Sequence, residues 1–209
     1  MGLEQVQLRP GMYIGDTADG TGLDNMVAEL VGSALVETPV CDAIAVTLHD
    51  AEVVSVRDNG PGLPVDTESE WGVPIAELAV TQLYAETRRL ARSRKSRDLA
   101  GCGPAVVNAL SEDFTVRIWR GGLEYAMRFY LGAFLHRLTC TGAAGNVKGL
   151  PRRGTEIVFK PSGRFFAATA YDFARLERRL RVFEAIKCGA TITLTDRRGG
   201  GATVVTIAV

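Results

Sequence analysis

Three short stretches carry residue types that could bind a nucleotide. They are a polar stripe at four-residue spacing, a carboxylate followed by a glycine-rich turn, and two glycines before a proline. In the sequence these are Glu29, Ser33 and Glu37; Asp58 within RDNGPGLP (57–64); and AGCGP (100–104). Steps of four residues advance a helix by about 400°, so the three side chains of the stripe stay near one face.

Each stretch suits one part of a nucleotide. A carboxylate at a strand end can accept a hydrogen bond from an exocyclic amine, and glycines beside it let a flat ring approach the backbone. Glycines that lead into a helix with proline in its first turn offer free N–H groups to phosphate. Together the stretches predict an adenine-nucleotide pocket. Singly, each also fits an ordinary feature: a solvated helix face, a hairpin turn or a loop end.

The composition indicates an ordinary folded chain. Its 209 residues are 46% hydrophobic and 23% charged, which suits a single domain with a buried core. Lysine plus arginine equals aspartate plus glutamate at 24 each, although the segment 86–98 is locally basic. The four cysteines and two histidines stand apart, without a zinc or disulfide pattern. No apolar run approaches the roughly 20 residues that span a bilayer, and no membrane partner is expected. We expect a soluble, cytoplasmic protein.

Apolar spacing predicts the elements that position the candidate residues. Helices are expected over 23–37, after the turn at 72–74, from Pro104, and over 171–187, where the arginines should face outward. Strands are expected at 44–48, 53–57, 114–119, 123–129, 134–139, 155–160, 191–196 and 203–209. Because most strands are joined by hairpins, the pattern predicts an α+β fold, with one mostly antiparallel sheet and helices on one face. A single domain over residues 1–209 is the simplest arrangement.

Four longer strings resemble one known family. They are LRPGMYIGDTADGTGLDNMV (8–27), RDNGPGLP (57–64), AGCGPAVVNALS (100–111) and RRGTEIVFKPS (152–162). They stand in the order found in the ATPase domain of the DNA gyrase B subunit and its topoisomerase IV counterpart, within the GHKL ATPase superfamily. The likeness runs along nearly the whole chain. It implies a Bergerat-type two-layer sandwich, with a mixed eight-stranded sheet, that binds ATP and Mg²⁺.

The resemblance also implies roles for individual residues. Asp58 looks like the aspartate that accepts a hydrogen bond from the adenine amino group, with Gly62 and Thr155 in the same pocket. Glu29 looks like the general base for the attacking water. The phosphate loop of the family matches Gly101, Cys102 and Gly103. The other positions that match nucleotide-contacting ones are Ser33, Glu37, Gly60, Leu63, Pro64, Leu99 and Ala100.

The sequence departs from the family mainly where metal and phosphate would bind. Ser33 stands where the family has a magnesium-binding asparagine, and Gly32 replaces the acidic residue before it. A serine hydroxyl can still ligate a divalent ion, but it is shorter and a weaker donor than an amide carbonyl. Ala100 replaces a histidine of the lid. These changes favour weak hydrolysis.

Other departures affect the rim of the pocket and the chain ends. Pro61 replaces an arginine that would pair with Glu37, and Ala126 replaces a strand arginine whose place Arg128 could take. The sequence begins close to the first family motif and ends before the second family domain. We therefore expect neither the dimerising arm, nor a transducer or DNA-cleavage domain.

Two functions remain open at this point. One is a gyrase-type domain that binds ATP but, alone, hydrolyses it slowly or not at all. In a larger assembly its partners would be a gyrase-A-like subunit or DNA, and ATP could drive homodimerisation. The other is a stand-alone degenerate relative that senses nucleotide or binds a protein without ATPase activity, with Cys102 or Leu99 filling the pocket. The basic segment 86–98 either brings charge to the phosphates or is a solvated or DNA-facing loop; its candidate cations are Arg88, Arg92, Arg94 and Lys95.

Overall fold

The computed structural model describes residues 3–36, 40–50, 52–66, 72–83 and 101–209. Its helices are α1 (Glu4–Leu8), α2 (Gly11–Ile14), α3 (Thr21–Leu35), α4 (Ile75–Thr81), α5 (Pro104–Ala109) and α6 (Phe173–Arg181), which a 3₁₀ helix (Val182–Ile186) follows. Its strands are β1 (Ala43–Leu48), β2 (Val54–Asp58), β3 (Ser111–Arg120), β4 (Leu123–Tyr130), β5 (Ala133–Ala143), β6 (Asn146–Val147), β7 (Leu150–Pro151), β8 (Gly154–Pro161), β9 (Thr191–Asp196) and β10 (Thr203–Ala208). In these ranges no helix has both the length and the apolarity to cross a bilayer.

Eight of these strands form one mixed sheet. Their order is β10-β9-β1-β2-β8-β3-β4-β5. β1 and β9 run parallel, and the other neighbouring strands are antiparallel. β6 and β7 pair separately as a small hairpin. The predicted α+β sandwich with a mixed eight-stranded sheet is confirmed.

The core lies between this sheet and the helices. In β1, Ile44, Val46 and Leu48 are buried and alternate with more exposed residues, as expected for a sheet with one covered face. α3 contributes a broad apolar side to the core: Leu23, Met26, Val27, Leu30, Val31 and Leu35 are buried. The polar side of α3, which carries Glu29 and Ser33, is half-buried. Packing of the apolar side of α3 therefore fixes where the Glu29 carboxylate lies.

Most predicted elements lie where the spacing placed them. The helix predicted over 23–37 is α3, which begins two residues earlier than expected, at Thr21. The strand predicted over 134–139 is longer in the structure, where it is β5. The turn between β3 and β4 is made by Gly121 and Gly122, as predicted. The helices α1 and α2 and the β6–β7 hairpin were not predicted, because such short segments hold too few apolar residues to show a period.

The helix predicted over 171–187 needs two corrections. The α-helix covers only Phe173–Arg181 before it tightens into the 3₁₀ helix, a common ending for helices. Arg178 and Arg181 are exposed as predicted. Arg175 and Arg179, however, bond to side chains of α3, so the prediction that the arginines face outward is wrong for these two. Helical periodicity predicts that charged residues face solvent. It contains no information about a polar partner on a neighbouring helix.

Candidate functional site

A cleft opens between α3, the end of β2, the turn after it and β8. Its volume is about 540 Å³, including the open space at its mouth. The lining residues are Leu30, Ser33, Ala34, Val56, Asp58, Pro61, Gly62, Leu63, Pro104, Thr155 and Ile157. The structure therefore brings together five of the predicted site residues from three separate stretches: Ser33, Asp58, Gly62, Leu63 and Thr155.

At one end of the cleft, which we call the base end because the sequence predicts base binding there, hydrogen bonds hold the Asp58 carboxylate. The Asp58 carboxylate accepts hydrogen bonds from Gly60 N at 2.8 Å and from Thr155 N at 3.2 Å. The Thr155 hydroxyl accepts one from Leu63 N at 3.1 Å. These bonds join the end of β2 and the turn directly after it to β8, so a strand residue 97 positions away in sequence helps to hold the Asp58 carboxylate in the cleft.

The turn at this end requires a glycine at position 62. Gly62 has φ +77°, a conformation that side chains disfavour. A Cβ there would also lie 2.8 Å from the Trp119 carbonyl oxygen and 3.1 Å from that of Gly154. The glycine predicted from the motif thus has a structural reason, which is close approach to two backbone carbonyls.

Arg120 supports the same turn and was missed in the sequence. Its guanidinium donates hydrogen bonds from Nη1 to the carbonyl oxygens of Gly62, at 2.8 Å, and Pro61, at 3.3 Å. No sequence signal points to it, because an arginine at a strand end is usually solvated. Arg128, proposed above as a replacement pocket arginine, instead forms a bidentate pair with Asp113, at 3.0 and 2.7 Å. It does not line the cleft, so that expectation is wrong.

Next to the other end, at Pro104, Glu29 lies against the glycine loop 101–103. We call this region the phosphate end because the sequence predicts phosphate binding there; neither Glu29 nor the loop lines the cleft itself. Gly103 N donates a hydrogen bond to Glu29 Oε2 at 2.8 Å. A Cβ at Gly101 would overlap the Glu29 carboxylate, so a side chain there would displace the end of Glu29 from this position. Burial raises the pKa of Glu29 above its ordinary value, while the backbone N–H groups of Gly103 and Cys102 and the charge of Arg179 oppose that rise.

The polar side of α3 continues one turn before Glu29, in contact with α6. Arg175 Nε donates to the buried Asp24 carboxylate at 2.5 Å, and Arg179 Nε donates to Asn25 Oδ1 at 2.7 Å. Burial raises the pKa of Asp24, and the hydrogen bond from Arg175 counteracts it. Two arginines of α6 therefore lie beside the turn of α3 that precedes Glu29.

The remaining predicted residues have different outcomes. The Gly60 backbone N–H donates to Asp58. The Pro64 carbonyl accepts a hydrogen bond from Ala76 N at 2.8 Å. Cys102 packs against the core and does not line the cleft. Glu37, Leu99, Ala100 and the basic segment 86–98 lie outside the described residues.

Comparison with known proteins identifies the family. The sequence profile of the histidine kinase-, DNA gyrase B- and HSP90-like ATPases matches residues 18–164. The chain belongs to this ATPase family. Glu29, Asp58, the loop 101–103 and Thr155 all lie inside the matched residues.

Within the family, the chain is similar to the B subunit of DNA gyrase. It is 42% identical over 200 residues to that protein from Rickettsia conorii, 41% over 205 residues to that from Caulobacter vibrioides, and 38% over 200 residues to that from Haloferax volcanii. Each match covers 94% of this chain but only 24%, 26% and 31% of the respective relative. The chain thus spans about a quarter to a third of the length of these relatives.

Proposed function

We propose that this chain is a gyrase-B-type domain that binds ATP with Mg²⁺ and hydrolyses it slowly or not at all on its own. The observation that carries the proposal is Asp58, held in the cleft by two backbone N–H groups beside the Thr155 hydroxyl. A carboxylate fixed in this way is ready to accept a hydrogen bond from an exocyclic amine. Gly62 leaves room for a planar base next to it.

The phosphates extend toward α5 in this proposal. Backbone N–H groups of the loop 101–103 donate to them, and Glu29 accepts a proton from the attacking water. In the structure, Glu29 already occupies one of these N–H groups, that of Gly103. Glu29 must therefore release that donor before it can accept a proton from the water, which supports slow turnover.

The residues present fit a magnesium ion that arrives with the nucleotide. Among the described residues no group of three histidine, cysteine, aspartate or glutamate side chains could hold a metal. Mg²⁺ is commonly held by substrate phosphates, waters and only one or two protein oxygens. Ser33, which lines the cleft, can supply one such oxygen. The ion would neutralise charge on the phosphates.

The wider assembly is part of the same proposal. Because B subunits of DNA gyrase are 38–42% identical over the matched region, a gyrase-A-like subunit or DNA is the partner class to test, together with ATP-driven homodimerisation. Residues 1–209 act as one ATP-binding domain in this proposal, and a cytoplasmic location remains a prediction.

One observation favours the second candidate, a nucleotide-sensing or protein-interaction module without ATPase activity. The bond from Gly103 N to Glu29 gives the general base an internal partner at the place where phosphate is expected. A chain that keeps this bond with nucleotide present would sense adenine without catalysis. Calorimetric titration with ATP, with and without magnesium, separates the two candidates, because only the gyrase-type domain should bind the nucleotide together with the metal.

Calorimetric titration with a non-hydrolysable ATP analogue tests the main proposal. Asp58→Ala should weaken binding by about 10- to 150-fold, the value of a hydrogen bond to a charged group. Asp66→Ala, an exposed aspartate after the same turn, should leave the affinity unchanged. Guanine nucleotide, which lacks the exocyclic amine at that edge, should bind far more weakly than adenine nucleotide. Absence of heat at high micromolar nucleotide, or unaltered affinity in a folded Asp58→Ala protein, contradicts the proposal.

A further inference from the structure

The peptide unit between Gly62 and Leu63 is held at both of its polar ends. The carbonyl oxygen of Gly62 accepts a hydrogen bond from Arg120 Nη1 at 2.8 Å. The N–H of Leu63 donates to the Thr155 hydroxyl at 3.1 Å. Because the C=O and N–H groups of a trans peptide point in opposite directions, Arg120 and Thr155 hold this unit from opposite sides. Thr155 lines the cleft, whereas Arg120 is not among the lining residues.

The charge of Arg120 favours this direction of the peptide unit. A hydrogen bond from a charged donor is roughly twice as strong as one between neutral groups, and it polarises the next bond in the chain. The bond from Arg120 to the Gly62 carbonyl therefore makes the Leu63 N–H a stronger donor toward Thr155. If the unit were reversed, its N–H would face the guanidinium, which has no acceptor to offer.

The bond from Leu63 determines how the Thr155 hydroxyl can be used. A hydroxyl has one hydrogen to donate and two lone pairs that accept. The Leu63 N–H takes one lone pair, and no hydrogen bond among the described residues uses the hydroxyl as a donor. Thr155 N also donates to Asp58 Oδ2 at 3.2 Å, so the hydroxyl and the carboxylate are neighbours in the cleft lining. A donor thus lies beside an acceptor.

We propose that Arg120 is a positioning residue that sets the base preference of the cleft: it holds the peptide unit 62–63 so that the Thr155 hydroxyl donates beside the accepting Asp58. This order matches a base edge with an accepting ring nitrogen next to an amino group, as in adenine. The same edge of guanine has the opposite order, a ring N–H next to a carbonyl oxygen. The choice of base rests on the proposed function, whereas the bonds from Arg120 to the turn do not.

The Leu63 amide reports on this arrangement in the nucleotide-free protein. In Arg120→Gln the Leu63 N–H becomes a weaker donor. Its proton resonance should therefore move upfield and its exchange with solvent should be roughly tenfold faster, the fold-change expected for one net hydrogen bond. Arg117→Gln removes an exposed arginine from the same strand, β3, and should leave this amide unchanged. An unmoved Leu63 amide in Arg120→Gln, or an equal change in Arg117→Gln, would overturn the proposal.

A double-mutant cycle with Thr155→Val tests whether Arg120 acts through the hydroxyl. In calorimetric titration, Arg120→Gln should weaken binding of a non-hydrolysable ATP analogue by about five- to tenfold. Its preference over a GTP analogue, measured by competition, should fall by a similar factor. In the Thr155→Val background the same substitution should change the affinity by less than about twofold, because the hydroxyl is gone. An equal fall in both backgrounds is what a purely structural role of Arg120 predicts, and it would contradict the proposal.

Failure of this proposal and failure of the proposed function are distinguishable. If the wild-type protein binds no ATP analogue, the proposed function fails, and the Leu63 amide still decides whether Arg120 holds the peptide unit. If the analogue binds and Arg120→Gln acts equally in both backgrounds, only the present proposal fails. Should Arg120→Gln not fold, Arg120→Met, which keeps a long side chain without a donor, replaces it in both experiments with the same expected results.

Discussion

The base end and the phosphate end of the cleft are stabilised in different ways. At the base end, the Asp58 carboxylate and the Thr155 hydroxyl accept backbone N–H groups and join three segments. Arg120 adds two bonds to the turn from the far side. At the phosphate end, the acidic side chain itself takes a loop N–H, and its pKa is raised by burial.

Because of this difference, the base end is already arranged for the proposed nucleotide, whereas the phosphate end must rearrange to bind it. Bonds at the base end satisfy the backbone and keep Asp58 in the cleft lining, so the adenine binding of the proposed function would leave these bonds in place. The bond from Gly103 to Glu29 uses a donor that a phosphate needs in the proposed function. Affinity should therefore depend mainly on the base end, and catalysis on how the phosphate end opens.

The largest expected effect is at Gly62, where the base end is most tightly built. Gly62→Ala combines an unfavourable positive φ with a contact to the Trp119 carbonyl oxygen at 2.8 Å. It should cost at least about 3 kcal/mol of folding free energy and abolish nucleotide binding. Urea denaturation and calorimetry measure the two effects.

Gly121→Ala is the matched control for that substitution. Gly121 also has a positive φ, +60°, but nothing lies within 4 Å of an added Cβ. The cost should be about 1–2 kcal/mol, from backbone conformation alone, with nucleotide affinity retained. Equal losses in the two variants would show that close approach at Gly62 is unimportant and that the base end is less rigid than described.

The second prediction concerns stability and pH at the phosphate end. The folded state raises the pKa of Glu29 above 4.5, so it holds this proton more tightly than the unfolded chain. Stability should fall as pH rises from about 4.5 through the raised pKa, and it stays reduced at neutral pH. Glu29→Gln should therefore stabilise the protein by about 0.5–2 kcal/mol at pH 7, and by less near pH 4.

Asp50 provides a control of opposite sign. The backbone N–H groups of Glu52 and Val53 lower the pKa of Asp50, so its ionised form stabilises the fold. Asp50→Asn should lower the melting temperature at neutral pH and have less effect in acid. If Glu29→Gln also destabilises the protein at pH 7, the carboxylate is better satisfied than described, and the two ends of the cleft do not differ in this respect.

The smallest effect is expected at Ser33. Ser33→Asn supplies an amide oxygen in place of a hydroxyl and should improve nucleotide affinity by up to about threefold, less than 1 kcal/mol, in magnesium only. Titrations with magnesium and with a chelator, alongside Ser33→Ala, measure this. No gain in magnesium dependence for Ser33→Asn would remove the metal role assigned to this position.

Much of the fold and of the base end could be predicted from the sequence. Alternating strands and apolar helix faces gave the sheet and its covering helices, and the turn around Gly60 and Gly62 marked Asp58. Arg120 could not be predicted, because its partners are two carbonyl groups about 60 residues earlier in the chain. The prediction for Arg128 was wrong for a related reason. Arg128 forms an ion pair with Asp113 on the neighbouring strand β3, which the sequence pattern does not indicate.

The sequence by itself determined most of the order of elements, which depends on local spacing, and the residue types available at the site. The family followed from the resemblance of four motifs. Only the tertiary structure decided that Glu29 accepts from Gly103, 74 residues away, and that Arg179 turns inward to Asn25, 154 residues away. The physical reason is that the partner of a side chain depends on which groups lie near it, and how buried they are, once the helices and strands have packed. Periodicity along the chain records only whether that side chain is polar.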